Sequence, residues 1–384
     1  MASTAQLEYA AAAPAPDSAG ELSCVPWRAL ESEIAAWDRL ALRASEPNPF
    51  FESWYLLPSL RHLSGTGAVS ILRFEQDGEL AGILPVVRAA KYYRWPVPQI
   101  ATWLHANSFC GIPLIARGAE TAFWQAVLHW ADSEPGMALF LHLRGLALGG
   151  PVHRALESTT AREGRQAALV HREERAMLSS PLAPDAYLEA SLSGKKRKEL
   201  RRQANRLADE GEIAFARRTD DAGLGAWCEA FLALEAAGWK GKAGSALASA
   251  EATAGLFRDS LEGAAARGRL ERLTLTLDGR PIAMLASFLT PPGAFSFKTA
   301  FDESYARFSP GVLLQRENLR ILEHPDIAWS DSCAASDHPM IDHLWRERRA
   351  VGHVSVAIGG ALRRAAFRRF VALETKRSPV AAES

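Results

Sequence analysis

Hydrophobic and polar positions change their period several times along the chain, and each change marks an element. In residues 27–42 the apolar Leu30, Ile34, Trp37 and Leu40 fall on one helical face, and residues 50–63 repeat the pattern with Phe51, Trp54, Tyr55 and Leu60. The period then drops to two. Residues 68–76 and 79–88 read as strands flanking Asp77-Gly78, a dipeptide suited to the positive φ angles of a tight hairpin turn. Further strands are expected at 99–104, 109–115 and 137–143. Residues 120–131, with Phe123, Trp124, Val127 and Trp130 inward, and residues 151–164 return to helical spacing.

The second half runs through a similar order. A short helix is expected at 186–192, a longer one at 193–211 and a short strand at 213–217. Residues 224–237 form a strong helix, with Trp227, Phe231 and Leu234 at i, i+4 and i+7 and Gly238 at its C-terminal end. After a Gly/Ala/Ser-rich loop to about residue 250 come a helix at 253–267 and a second hairpin, with strands at 270–277 and 281–289 around Asp278-Gly279. A strand at 327–333, a helix at 338–348, a strand at 352–358 and a basic amphipathic segment within 361–384 complete the order. Helices, hairpins and alternating strands of this kind predict a mixed α/β layer fold. The echo between the halves suggests two copies of one unit, although the letters show no strict repeat. The expected boundaries are an Ala-, Pro- and Ser-rich disordered tail at 1–22, a domain at 23–178, a second opening with the linker 179–185 and running to 360, and the terminal basic segment at 361–384.

Residues 294–324 carry the pattern with most chemistry in it. Phe295, Phe297 and Thr299 alternate with Ser296, Lys298 and Ala300 as a strand does. Ser309-Pro310-Gly311 then breaks the chain, and Val312, Leu313, Gln315, Arg316, Leu319, Ile321 and Leu322 follow at helical spacing. Ser309 suits an N-cap and Pro310 the first helical turn, where its missing N–H is no loss. Gly311 lets another group approach the backbone. Such a turn aims free N–H groups and the positive end of a helix dipole at one point, which suits a phosphate or pyrophosphate. Pro-Gly alone is equally at home in an ordinary strand–turn–helix joint.

Composition narrows the classes. The chain has 384 residues, enough for two domains, and 48% hydrophobic with 23% charged residues is a globular balance. Lys+Arg 44 against Asp+Glu 44 does not favour a dedicated nucleic-acid binder. Cys24, Cys110, Cys228 and Cys333 lie far apart, so no disulfide framework and no metal site is expected. The first residues lack a basic n-region, and no run of about 18 apolar residues occurs. Together these place the protein in the cytoplasm, with no transmembrane segment.

Two more stretches stand out. In the helix at 193–211, Lys195, Lys196, Arg197, Lys198, Arg201, Arg202 and Arg206 surround a narrow apolar side, which is either a contact for a polyanion or a solvated face. Trp239 and Lys240 sit between Gly238 and Gly241, either as a lid over substrate or as a tryptophan folded onto the core. Glu235 lies one helical turn before them, a candidate base or a plain surface glutamate.

The runs FLALEAAGWKGKAGSAL, LDGRPIAM, FKTAFDESYARFSPGVLL and SDSCAASDHPMIDHLWRERR, in this order and spacing, resemble the CelD-like branch of the GNAT acyltransferases, linked with cellulose and exopolysaccharide biosynthesis and similar to the Fem-type peptidyltransferases. The match covers about residues 180–358, and DGELAGILPVV in the first half resembles that family's more diverged first domain. The resemblance implies two tandem GNAT-like domains and an N-acyltransferase. Its co-substrate would be acyl-CoA, acetyl-CoA first, with the pyrophosphate on Ser309, Pro310, Gly311, Val312 and Leu313. Its acceptor would be a small-molecule amine or a nucleotide-sugar. Lys298 matches the family's lysine and takes an electrostatic or substrate-binding role. Asp302 is placed to pair with Lys298 or accept an amine hydrogen bond, or else is a plain cap or turn residue, and Glu235 to act as base. Trp239, Lys240 and Asp331 complete the implied substrate site. The family's phosphate turn carries a Q/R-x-x-G-x-G/A pattern, whereas Arg307-Phe308-Ser309-Pro310-Gly311 offers one glycine with a proline before it. An aminoacyl-tRNA donor, as in Fem-type enzymes, and a non-catalytic scaffold of the same fold are the alternatives.

Overall fold

The structure, a computed structural model, describes residues 20–65, 68–336, 338 and 340–377. Of the tail expected at 1–22, residues 1–19 lie outside the described residues. The first half contains β1 (Glu21–Pro26), α1 (Ile34–Leu42), α2 (Ser53–Leu63), β2 (Val69–Gln76), β3 (Glu79–Ala89), β4 (Gln99–Thr102), β5 (Leu114–Ile115), α3 (Glu120–Ser133), β6 (Phe140–Ala147), α4 (Pro151–Arg162) and β7 (Ala167–Leu178). The second contains α5 (Pro184–Ser191), α6 (Gly194–Ala208), β8 (Ile213–Arg218), α7 (Leu224–Ala237), α8 (Trp239–Lys242), α9 (Glu251–Ala265), β9 (Leu270–Leu277), β10 (Arg280–Thr290), β11 (Gly293–Phe301), α10 (Pro310–Asn318), β12 (Trp329–Asp331), β13 (Glu347–Ala357) and α11 (Ala361–Arg377).

The strands form one mixed sheet in the order β1-β2-β3-β4-β6-β13-β7-β12-β11-β10-β9-β8, with β5 beside β3. Both halves follow one plan. The β2–β3 hairpin leads to antiparallel β4, which runs parallel to β6; the β9–β10 hairpin leads to antiparallel β11, which runs parallel to β12. The fold is thus α/β with a tandem architecture. β13, late in the sequence, lies between β6 and β7, and β7 in turn pairs with β12, so the sheet is continuous from one half to the other.

Several elements differ from the pattern read in the sequence. β7 was hidden because charges interrupt its alternation, and those charges pair along the strand: Arg175 with Glu173 at 2.6 Å and Arg172 with Glu174 at 3.1 Å. The helix expected at 338–348 does not form. Ile341, Leu344 and Trp345 are buried in a series of turns, where Arg348 donates to the carbonyls of Trp345 and Asp342, and the sheet takes the chain from Glu347 onward. β-branched Val351, Val354 and Val356 suit that strand better than a helix. The strands expected at 109–115 and 327–333 shorten to β5 and β12, and the helix expected at 27–42 splits into a 3₁₀ turn, Trp27–Ser32, and α1. β1 begins at Glu21, inside the stretch read as tail, and pairs with β2.

One hydrophobic cluster spans both halves. Its centre is aromatic. Phe50, Trp54 and Tyr55 of the first half meet Phe288, Phe295 and Phe297 of the second, with ring centroids 4.8 Å apart for Trp54–Phe288, 5.6 Å for Tyr55–Phe297 and 5.9 Å for Phe50–Phe295. Edge-to-face pairs of this kind add about 0.5–1.5 kcal/mol each beyond area burial. Phe288→Ala, which empties the centre of this seam, is expected to cost about 3–5 kcal/mol in urea unfolding and to leave one cooperative transition. Two separate transitions in the parent protein would contradict a shared core.

Candidate active site

The site begins where two strands part. β11 pairs with β12 only at Gly293, Ala294 and Phe295, opposite Trp329, Ser330 and Asp331. Beyond Phe295, β12 ends while β11 runs on to Phe301. On its other side β11 stays bonded to β10 but carries a bulge: Ala286 faces Lys298 and Ser287 faces Ser296, leaving Phe297 as the extra residue. Bulges re-aim side chains and are over-represented beside active sites. Here Phe297 turns into the aromatic seam, and Lys298 faces a cavity of about 770 Å³ opened by the parting strands.

Lys298 is the chemical centre of that cavity. Its ammonium lies 5.0 Å from the centroid of Phe109 and 5.6 Å from that of Phe297, and no carboxylate pairs with it among the described residues. Burial, reinforced by the charge of Lys240, lowers its pKa to about 8. The same burial, together with the charge of Lys298, lowers His105 to about 4. The His105 Nδ1 accepts the Asn107 N–H, which leaves the proton of the neutral ring on Nε2, a buried nitrogen without a partner.

The turn before α10 forms another wall. Ser309 occupies the expected N-cap position, but its backbone is left-handed, φ 53° and ψ 52°, and its side chain makes no capping hydrogen bond. The Ser309 carbonyl instead accepts both the Val312 and Leu313 N–H groups. Pro310 has no N–H, so among the first-turn amides of the described residues Gly311 alone has no partner. A side chain at Gly311 would meet Met340 Sδ at 2.5 Å, so the close approach its glycine permits is made by the chain itself. Cys333 across the cavity is a second non-glycine residue with positive φ, 52°. Two strained residues facing one cavity point to a site rather than a plain joint.

The remaining residues singled out in the sequence divide into two groups. Trp239 and Lys240, at the start of α8, line the cavity, with Trp239 59% exposed. Glu235 is buried at the end of α7, where it holds Lys240 Nζ at 2.7 Å and accepts the Leu247 N–H at 2.8 Å. Asp302 and Asp331 are occupied elsewhere. Asp302 caps the turn before Ser309, accepting from the backbone N–H and hydroxyl of Ser304, and pairs with Arg280 at 3.0 Å rather than with Lys298. Asp331 is buried against Arg349 at 3.0 Å and accepts the Cys333 N–H at 2.8 Å, which fixes the segment that lines the cavity.

Sequence reasoning passed over Phe109, His105, Ser296 and Met340. Phe109 and His105 come from the first half, so no local pattern in the second half announces them. Ser296 was read only as a strand position, yet it lines the cavity with a buried hydroxyl that lacks a partner.

Comparison with known proteins bears on the fold. Residues 194–337 match the family model described as Acetyltransferase (GNAT) domain. No curated protein sequence matches the chain. Among solved structures, FemX is 10% identical and aligns over 84% of this chain and 95% of its own with a TM-score of 0.54. The C-terminal domain of a putative lysylphosphatidylglycerol synthetase from Agrobacterium fabrum is 12% identical over 89% and 97%, with a TM-score of 0.53. A conserved protein of unknown function from Bacteroides thetaiotaomicron is 12% identical over 84% and 97%, also with a TM-score of 0.53. At such identities these structures speak for the fold, and the parting strands, the lysine and the α10 turn all fall within the stretch that matches the GNAT acetyltransferase model.

Proposed function

We propose that the chain is an N-acyltransferase that moves an acyl group, acetyl first, from acyl-CoA to the amine of a small molecule or amino sugar. The observation that carries this reading is a half-buried lysine, with no carboxylate paired to it among the described residues, on a strand that parts from its neighbour beside a helix N-terminus. The CelD-like resemblance supports a setting in cytoplasmic polysaccharide or cell-envelope biosynthesis.

The donor fits what these residues leave unsatisfied. The free edge of β11 offers backbone groups to an extended chain, and the Gly311 N–H with the dipole of α10 suits an anionic group. When bound, acyl-CoA supplies an activated thioester. Lys298 is mostly protonated at pH 7 and has no carboxylate within ion-pair distance among the described residues, so it stabilises negative charge that develops on a carbonyl oxygen. Burial among aromatic rings strengthens that interaction because little water screens it. Glu235 acts through Lys240 as a positioning residue, since Lys240 and Leu247 already occupy its oxygens. Trp239 is placed to cover the acceptor. Asp302 and Asp331 hold the turn and the far wall in place.

The role of Lys298 sets a pH dependence. With acetyl-CoA and an amine acceptor, the rate should fall as pH rises through about 8, where Lys298 loses its proton. Lys298→Met should lower kcat by about 10²–10³ and abolish that limb. A limb that survives in Lys298→Met would assign it to another group.

Stability should move the opposite way. The folded pKa of about 8 lies below the ordinary 10.5, so between these values the unfolded chain binds more protons and stability rises with pH. Below pH 8 the cost of holding the charge in the fold is present in full, on the order of 3 kcal/mol. Lys298→Met is therefore expected to raise Tm at pH 7, with the gain shrinking toward pH 10. A lower Tm at pH 7 would contradict an uncompensated charge.

A second reading, an aminoacyl-tRNA donor, draws on α6. Lys195, Lys196, Lys198, Arg201 and Arg206 are exposed there, while Arg197 and Arg202 pair with Glu189 and Glu199. It predicts tRNA retention on a filter at low salt that weakens steeply with added salt and with neutralisation of Lys195, Lys196 and Lys198. No retention at low salt removes it.

A further inference from the structure

A second cavity, of about 710 Å³, opens between the turn after β3, the strands β7 and β13, and α11. Tyr92, Tyr93, Trp95 and Phe370 form its walls, and none of its lining residues belongs to the cavity at Lys298. β7 meets β12 only at Met177 and Leu178, about 20 Å along the strand from His171 at ~3.3 Å per residue, so this is a separate place on the molecule.

Three features make it more than a surface dent. Tyr93, Trp95 and Leu373 are 66%, 41% and 62% exposed and converge on one rim, whereas exposed large apolar side chains are ordinarily scattered. Tyr93 is held with φ 49°, a conformation a bulky residue rarely adopts. Glu374 is left incomplete: one carboxyl oxygen accepts the Tyr92 hydroxyl, and the other is buried without a partner.

We propose that this cavity binds an organic ammonium ion, with the aromatic rings facing the cation and Glu374 supplying the counter-charge. Aromatic faces attract cations, most strongly when both are desolvated. The cavity already shows this preference, since the Arg94 guanidinium lies 5.4 Å from the Trp95 ring centroid. Two opposite charges face the cavity, and burial decides between them. The free oxygen of Glu374 is buried, where attraction is weakly screened, whereas Arg94 stands on the exposed rim, where salt screens it. Arg94 then suits an anionic group at the outer end of the same ligand. His353, whose Nδ1 lies 3.4 Å from the Tyr93 hydroxyl, is pushed down to about 3 by burial and the neighbouring His171, so it adds no competing positive charge near neutral pH. Among the described residues no group of His, Cys, Asp or Glu is arranged to hold a metal ion, so the neighbouring histidines His142, His171 and His353 are not a metal site.

The test is a calorimetric titration of the full chain with choline and with its uncharged isostere, 3,3-dimethylbutanol. Choline should bind at least about tenfold more tightly than the isostere. Trp95→Ala, at a rim position 41% exposed, and Glu374→Gln should each weaken choline by about tenfold or more. Co-sedimentation with phosphatidylcholine vesicles assigns the ammonium to a lipid headgroup, and choline binding without co-sedimentation assigns it to a soluble ligand. Lys298→Met should leave choline binding unchanged, which keeps this proposal separate from acyl transfer. No heat with choline, equal binding of the isostere, or indifference to both substitutions overturns it.

Discussion

The aromatic seam between the two halves is the constraint on which the site depends. Phe297 is the extra residue of the β11 bulge, and its ring is held among Tyr55, Phe257 and Phe288. Because that ring is fixed, the residue after it cannot rotate back into the sheet. Lys298 is thereby turned toward the cavity, against Phe109 from the other half. The first half therefore does more than stabilise the second. It supplies the aromatic wall against which the lysine packs and the histidine whose neutral ring lies within reach of its field.

A charge held in this way stores free energy. An ammonium without a carboxylate among aromatic rings is less stable folded than in water, and it becomes more stable when negative charge appears beside it. Among the described residues, the carboxylates singled out around the cavity are committed elsewhere. Glu235 holds Lys240, Asp302 holds Arg280 and the Ser304 turn, and Asp331 holds Arg349. Each positions a wall of the cavity, and none of them pairs with the lysine. The charge is thus left available to whatever enters.

Much of the fold was legible because it follows from period and turn chemistry. The two Asp-Gly hairpins, α3, α7 and the β11–turn–α10 passage could be read directly. β7 was not, because paired charges at 172–175 look like a solvated loop until the opposite strand is known. Nor was the end of the chain, where the sheet drew residues 347–357 into a strand between β6 and β7. At the site, Lys298 and the Ser309–Gly311 turn were visible, as were Trp239 and Lys240. Phe109 and His105 were not, since they arrive from nearly two hundred residues away in sequence. The turn itself also holds fewer free amides than its letters suggest, because the Ser309 carbonyl takes two of them.

The central claim is that an acyl donor lies along the free edge of β11 with its reacting carbonyl at Lys298. A crystal structure of the protein soaked with acetyl-CoA tests this most directly. The account predicts the diphosphate at the Gly311 N–H and the thioester oxygen within hydrogen-bond reach of Lys298 Nζ. Donor density away from β11, or a pyrophosphate that leaves the α10 turn untouched, would contradict it.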